Sequence, residues 1–184
     1  WLCLFDAEER ETRLPMAQGE EGVWQVHAPG VGAGARYGLR ADGPYDPDSG
    51  LWFDPDKLLL DPYAPAIDRA FVHDPMLAAP RGQGEDTAPL MPKGVVAAPL
   101  PAVAPAPPCF QPGGLIYELQ VRSFSLLHPD VPEAQRGTIA ALAHLVVIDH
   151  LQKLGVGAVE LMPINAWIDE RHLPPLGLRN AWGY

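Results

Sequence analysis

The strongest constraint on this chain is a change of hydrophobic period across a proline-dense stretch. Up to about residue 77 apolar and polar residues alternate, whereas beyond residue 114 the apolar residues gather into two short runs with a helically spaced stripe between them. The stretch 78–114 is dense in Pro and Ala, with Ala98-Pro99-Leu100-Pro101-Ala102-Val103-Ala104-Pro105-Ala106-Pro107-Pro108 at its centre. Proline has no amide donor and holds φ near −65°, so such a run favours extended polyproline backbone and reads as a linker or surface crossing. Domains of two different classes are expected on its two sides.

In the first of these, residues 1–77, Gly22-Val23-Trp24-Gln25-Val26-His27 and Arg36-Tyr37-Gly38-Leu39-Arg40 each alternate, so one face of each strand can be buried. The clusters Gln18–Gly22 and Pro29–Gly34 supply turn-permissive backbone between them. Short strands with frequent turns predict a β-sandwich of immunoglobulin-like class. The segment Asp42–Gly50 holds too many turn formers to be a strand, and the triplet Leu58-Leu59-Leu60 is expected to pack against the sandwich.

Residues 115–184 read differently. Leu115 to Val121 is a strand candidate, and Val147, Leu151 and Leu154 fall at helical spacing, with Ile148 widening the stripe and Gly155 placed as a C-terminal cap. Val156 to Met162 is a second apolar run, of the kind found in buried parallel strands. Strand, helix, strand at this spacing predicts a βαβ unit.

Composition removes several function classes. The chain of 184 residues is 47% hydrophobic and 20% charged, with a formal net charge of −10. That balance argues against a nucleic-acid or anionic-membrane partner, since a phosphate-binding surface needs clustered Lys and Arg. No run approaches the ~20 apolar residues of a spanning helix. Cys3 and Cys109 are far apart without metal-ligand neighbours, and the six His lack ligand spacing, so neither a disulfide framework nor a metal site is expected. His128-Pro129-Asp130 matches a chaperone-stimulating tripeptide but lacks the basic helix that would go with it, and no phosphate loop or serine elbow is present. The opening Trp1-Leu2-Cys3-Leu4-Phe5 has no initiator Met or leader pattern and reads as the middle of a strand, so a piece cut at its N-terminus is expected.

Several ordered motifs resemble the bacterial glycogen-debranching enzymes and isoamylases of the α-amylase superfamily. Arg36-Tyr37-Gly38, Gly43-Pro44-Tyr45-Asp46-Pro47 and above all Lys57-Leu58-Leu59-Leu60-Asp61-Pro62-Tyr63-Ala64 are similar to its N-terminal carbohydrate-binding module of family 48 type. Ala88-Pro89-Leu90-Met91-Pro92-Lys93 resembles the lead into the catalytic domain, and Ile116 to Phe124 the first barrel strand. Arg136-Gly137-Thr138, Leu154-Gly155-Val156, Val159 to Pro163 and Leu178 to Tyr184 follow in the family's order. Gln120 stands where a His is usual, Ser123 where a Gly is common and Ala181 where an aromatic is frequent.

The resemblance implies a β-sandwich followed by the first βαβ portion of a (β/α)8 barrel, in a cytoplasmic enzyme that cleaves α-1,6 branch linkages of glycogen or limit dextrin. Retaining hydrolysis needs two carboxylates about 5 Å apart across the glycosidic bond, and the resemblance puts these acids on later strands than this chain holds. No catalytic residue and no cofactor is therefore assigned. Glu118 and Glu160, in successive strand candidates, read as polar positions in the barrel or loop braces, with a catalytic pair as the alternative. Tyr184 resembles the aromatic residue that stacks on the sugar beside the cleaved bond, with Asn180 and Trp182 shaping its loop; an ordinary loop aromatic is the other reading. Trp24, Tyr37, Tyr45 and Trp52 are either core and interdomain packing or a glucan-binding face. Competing functions are a non-catalytic glucan-binding module and a branching or α-1,4-acting relative.

Overall fold

The computed structural model describes residues 1–102, 104 and 110–183; Cys109 and Tyr184 lie outside the described residues. The chain forms two compact units, Trp1–Pro101 and Ala102–Tyr184.

The strands of the first unit pair antiparallel. Its strands are β1 (Leu2–Phe5), β2 (Glu11–Leu14), β3 (Ala17–Gln18), β4 (Trp24–Gln25), β5 (Arg36–Leu39), β6 (Tyr45–Asp46), β7 (Leu51–Trp52) and β8 (Gly94–Val95). They make a four-stranded sheet in the order β2-β1-β5-β8 and two ribbons, β3-β4 and β6-β7. Alternation sets the inner face of β1: Cys3 and Phe5 are buried and join Leu58, Ala88 and Met91 in the core. Of the expected triplet, Leu58 is thus interior, while Leu59 pairs with Leu39 through two backbone hydrogen bonds and stays exposed. Gly38 permits this packing, because a Cβ there would stand 2.8 Å from Leu58 Cδ1. The strand expected over 22–27 is shorter than its alternation suggests, pairing only at Trp24 and Gln25.

Charged groups are buried beside this core. Arg40, 2% exposed, donates from Nε and Nη2 to Glu11 at 2.7 Å each, from Nη2 to Asp86, and from Nη1 to the Pro55 carbonyl. Burial would push the Glu11 carboxyl up, but hydrogen bonds from Arg40, Cys3 and Arg13 outweigh it and bring it down to about 2. Burial, reinforced by the neighbouring Glu11, pushes the Cys3 thiol up to about 12. Lys93, wholly buried, donates to the Ala88 carbonyl at 2.6 Å, meets Glu9 at 3.2 Å and lies 4.9 Å over the Phe5 ring.

Residues 78–101, read from their prolines as the start of a linker, sit inside this unit. Thr87 Oγ1 accepts from the Leu58 amide at 2.8 Å, Thr87, Pro92 and Lys93 are fully buried, and β8 closes the sheet beside β5. The non-proline amides make this possible: Val95 donates to Ala66 and Val96 to Ala35.

The second unit contains β9 (Leu115–Leu119), α1 (Val121–Ser125), α2 (Ile139–Leu142), α3 (Leu145–Lys153) and β10 (Val156–Leu161). β9 and β10 are parallel neighbours, in register from Ala158–Ile116 to Leu161–Leu119 after a bulge at Gly157. Helix α3 ends where expected, with Gly155 at φ +73. Its stripe buries Val147 against Val131 and Ala141, with Phe124, Leu142, Val146 and Leu151 around them. Strand, helix and parallel strand therefore form as the period change predicts. The sheet faces are open: Leu115, Ile116 and Val159 are 47%, 52% and 40% exposed. Among the described residues, no helix is long and apolar enough to cross a membrane.

Candidate functional site

The C-terminal ends of β9 and β10 point to one pocket of about 470 Å³ in the second unit. Parallel strands leave their loops at that end, where side chains from different loops can converge. Gln120 follows β9 and Pro163 follows β10, and the segment 179–183 lies across both.

Asn180 organises that segment. It is buried, and its Oδ1 accepts from the amides of Trp182 at 2.9 Å and Gly183 at 3.0 Å, an Asx-type turn that holds three residues in one conformation. Its own amide donates to Asp169 Oδ1 at 2.7 Å, and its Nδ2 faces Glu170 Oε1 at 3.4 Å. Gln120 Nε2 donates to the Ala181 carbonyl, tying the segment to the end of β9. Gly183, at φ +82, approaches the Pro163 carbonyl so closely that a Cβ would stand 2.9 Å from that oxygen. The turn is thereby fastened to both strand ends and to the 169–170 segment.

Of the residues singled out from sequence, Asn180 is this buried brace, and Trp182, a residue 61% exposed, lines the pocket; Tyr184 lies outside the described residues. Glu118 and Glu160 face each other in register, both exposed, and neither lines the pocket. Asp149 and His150 are on exposed positions of α3, and His128 accepts from the Asp130 amide in a turn after α1. Among the described residues, no group of three or more His, Cys, Asp or Glu stands close enough together to hold a metal ion. Sequence reading missed Trp167, which is 45% exposed on the same pocket. Its position in the loop after the second parallel strand is the signal that could have found it.

The aromatics of the first unit divide. Tyr37 is structural, its hydroxyl donating to Asp61 at 2.7 Å and its ring covering Gly94. Trp24 and Trp52 are 58% and 65% exposed, with Tyr45 meeting Trp52 edge to face at 6.2 Å. Trp24 borders an apolar pocket of about 680 Å³ together with Trp1, Met16, Phe53 and Leu59.

Residues 1–64 match the family profile of carbohydrate-binding module 48, the isoamylase N-terminal domain. All of the chain aligns with glycogen debranching enzymes of Serratia proteamaculans (44% identical), Pectobacterium carotovorum (43%) and Yersinia enterocolitica (42%), and it spans 28% of the length of each. A crystal structure of pullulanase complexed with maltotetraose, from Anoxybacillus sp. LM18-11, matches in fold over all of this chain and 24% of its own, with a TM-score of 0.56 at 20% identity. The family resemblance carried by the motifs is borne out by these matches.

Proposed function

We infer that this chain is the N-terminal part of a bacterial glycogen debranching enzyme of the isoamylase type, in the α-amylase superfamily. On this premise the first unit is an immunoglobulin-like sandwich of the family 48 type, and β9, α3 and β10 open a (β/α)8 barrel. The whole enzyme hydrolyses α-1,6 branch linkages of glycogen or limit dextrin in the cytoplasm. The two reacting carboxylates belong to the greater part of such enzymes, which this chain does not span. Its own contribution is one wall of the substrate cleft, where Tyr184 stacks on the sugar beside the cleaved bond while Asn180 and Trp182 set and extend that wall. The observation that supports this best is the alignment of the whole chain at 42–44% identity with debranching enzymes.

The test is to incubate the whole protein with phosphorylase limit dextrin and resolve the products by chromatography. Short linear maltooligosaccharides are expected. Scission within the chains, or transfer to new branches, would sink the reading in favour of an α-1,4-acting or branching relative.

A second reading, a glucan-binding module without catalysis of its own, is favoured by the exposure of Trp24 within the family 48 region. Calorimetric binding of maltohexaose that is lost in Trp24→Ala but kept in Trp182→Ala would support it.

A further inference from the structure

We propose that Gln120 is a positioning residue for the loop that leads into Tyr184, and that it acts through the donor arm of its side-chain amide. The proposal deepens the function inferred above and rests on that reading for the reaction it serves.

Gln120 stands where β9 ends. The Leu119 carbonyl before it accepts from the Met162 amide at 2.9 Å, and the Leu119 side chain is buried, so Gln120 leaves the sheet from a fixed point. From there its side chain reaches two partners of opposite kind. Oε1 accepts from the Ser123 amide at 3.2 Å, capping the first turn of α1, while Nε2 donates to the Ala181 carbonyl, 61 residues away in the chain. A carboxylate can only accept and an ammonium can only donate, so at this reach a carboxamide serves both.

The donor arm bears on a single peptide unit. The Ala181 carbonyl and the Trp182 amide share one plane, held at its oxygen by Gln120 and at its nitrogen by Asn180 Oδ1 at 2.9 Å. Gly183 follows at φ +82, with the Pro163 carbonyl oxygen 2.9 Å from where a Cβ would stand, and Tyr184 is the next residue. Turning that plane redirects the chain beyond it. Asn180 lies within the turn, whereas Gln120 ties the plane to the strand. A misplacement of about 1 Å in a group that orients substrate can cost on the order of 100-fold in rate.

Two variants of the whole enzyme separate the arms. Gln120→Glu keeps an acceptor for Ser123 but sets a carboxylate oxygen against the Ala181 carbonyl. Gln120→Lys keeps a donor for Ala181 and loses the acceptor. The substrate is phosphorylase limit dextrin, and reducing ends are counted whichever bond breaks. Gln120→Glu is expected to lose tenfold or more in kcat/KM at an unchanged melting temperature, with faster hydrogen exchange of the 179–183 amides. Gln120→Lys is expected to retain most of the rate and of the protection. A Gln120→Glu enzyme with wild-type kcat/KM overturns the proposal, and an impaired Gln120→Lys beside it marks a helix cap alone. Equal losses in both variants also overturn it, because they follow from the bulk of the side chain and not from its donor. So does a loss in Gln120→Glu that tracks a lowered melting temperature. Failure of the debranching reading shows separately, in products that are not short linear chains.

Discussion

Arg40 and Glu11 meet in a two-point contact, Nε and Nη2 each 2.7 Å from a carboxylate oxygen, and the pair reaches across β1 from the end of β5 to the start of β2. Asp86 closes the cluster at 2.7 Å from the same Nη2. Three charges from distant parts of the chain thus clamp the sheet end.

Removing the guanidinium leaves Glu11 with its side chain only 14% exposed and its main partner gone. Arg40→Ala is expected to destabilise the first unit by about 3 kcal/mol, the scale for breaking a buried ion pair from one side. Arg40→Lys should recover less than half, because an ammonium cannot reproduce the planar fork. Urea unfolding monitored by tryptophan fluorescence measures both.

The same cluster sets an acid limit. Glu11 is held at about 2, below its ordinary 4.5, so its contribution is fully present above pH 4.5 and is lost as the pH falls toward 2. That contribution is on the order of 3 kcal/mol. Urea midpoints across this window should fall steeply in the wild type and less steeply in Glu11→Gln; equal slopes would remove Glu11 from the account.

Gly38 faces a side chain with no room to retreat, since Leu58 is 2% exposed and its Cδ1 would lie 2.8 Å from an added Cβ. Gly38→Ala is expected to cost about 1–3 kcal/mol by overpacking. Trimming Leu58 to Val in the same chain should return part of that loss, a coupling that a double-mutant cycle in urea reads directly.

Asn180→Ala removes the acceptor shared by the Trp182 and Gly183 amides. A local loss of about 1–3 kcal/mol is expected, from buried donors left unpaired. Hydrogen exchange of those two amides should accelerate by tenfold or more, while exchange across β1 and β5 stays unchanged. Asn180→Asp keeps an acceptor and should retain most of the protection.

Local patterns are legible in the sequence because they repeat within a few residues. The apolar strand 156–161, the stripe through Val147 and Leu151, and the glycine that stops α3 need no distant partner to be recognised. The Arg40 cluster is not legible in that way, because its acids stand 29 and 46 residues from the arginine. Nor is the role of residues 78–101. Proline density signals extended backbone there, whereas the stretch turns at 81–84 and 88–91, and the free amides between its prolines let Gly94-Val95-Val96 border the sheet. In the site, Asn180 and Trp182 are singled out by motif resemblance, whereas Trp167 carries only the weaker signal of its place in the loop after β10, and the fold brings it to the same pocket.

The late arrival of Lys93 beneath Phe5 has a bearing on how the molecule is made. A ribosome that has released residues 1–64 has delivered nearly every strand of the first unit, yet neither the cation that fills its interior, nor Asp86 for Arg40, nor the edge strand of the sheet at Gly94 has emerged. The nascent module must wait some thirty residues more before it can lock, so gene fragments cut after residue 64 are expected to yield an open, adhesive sheet, and those cut after residue 101 one in which the Arg40 cluster and the β5–β8 edge are closed.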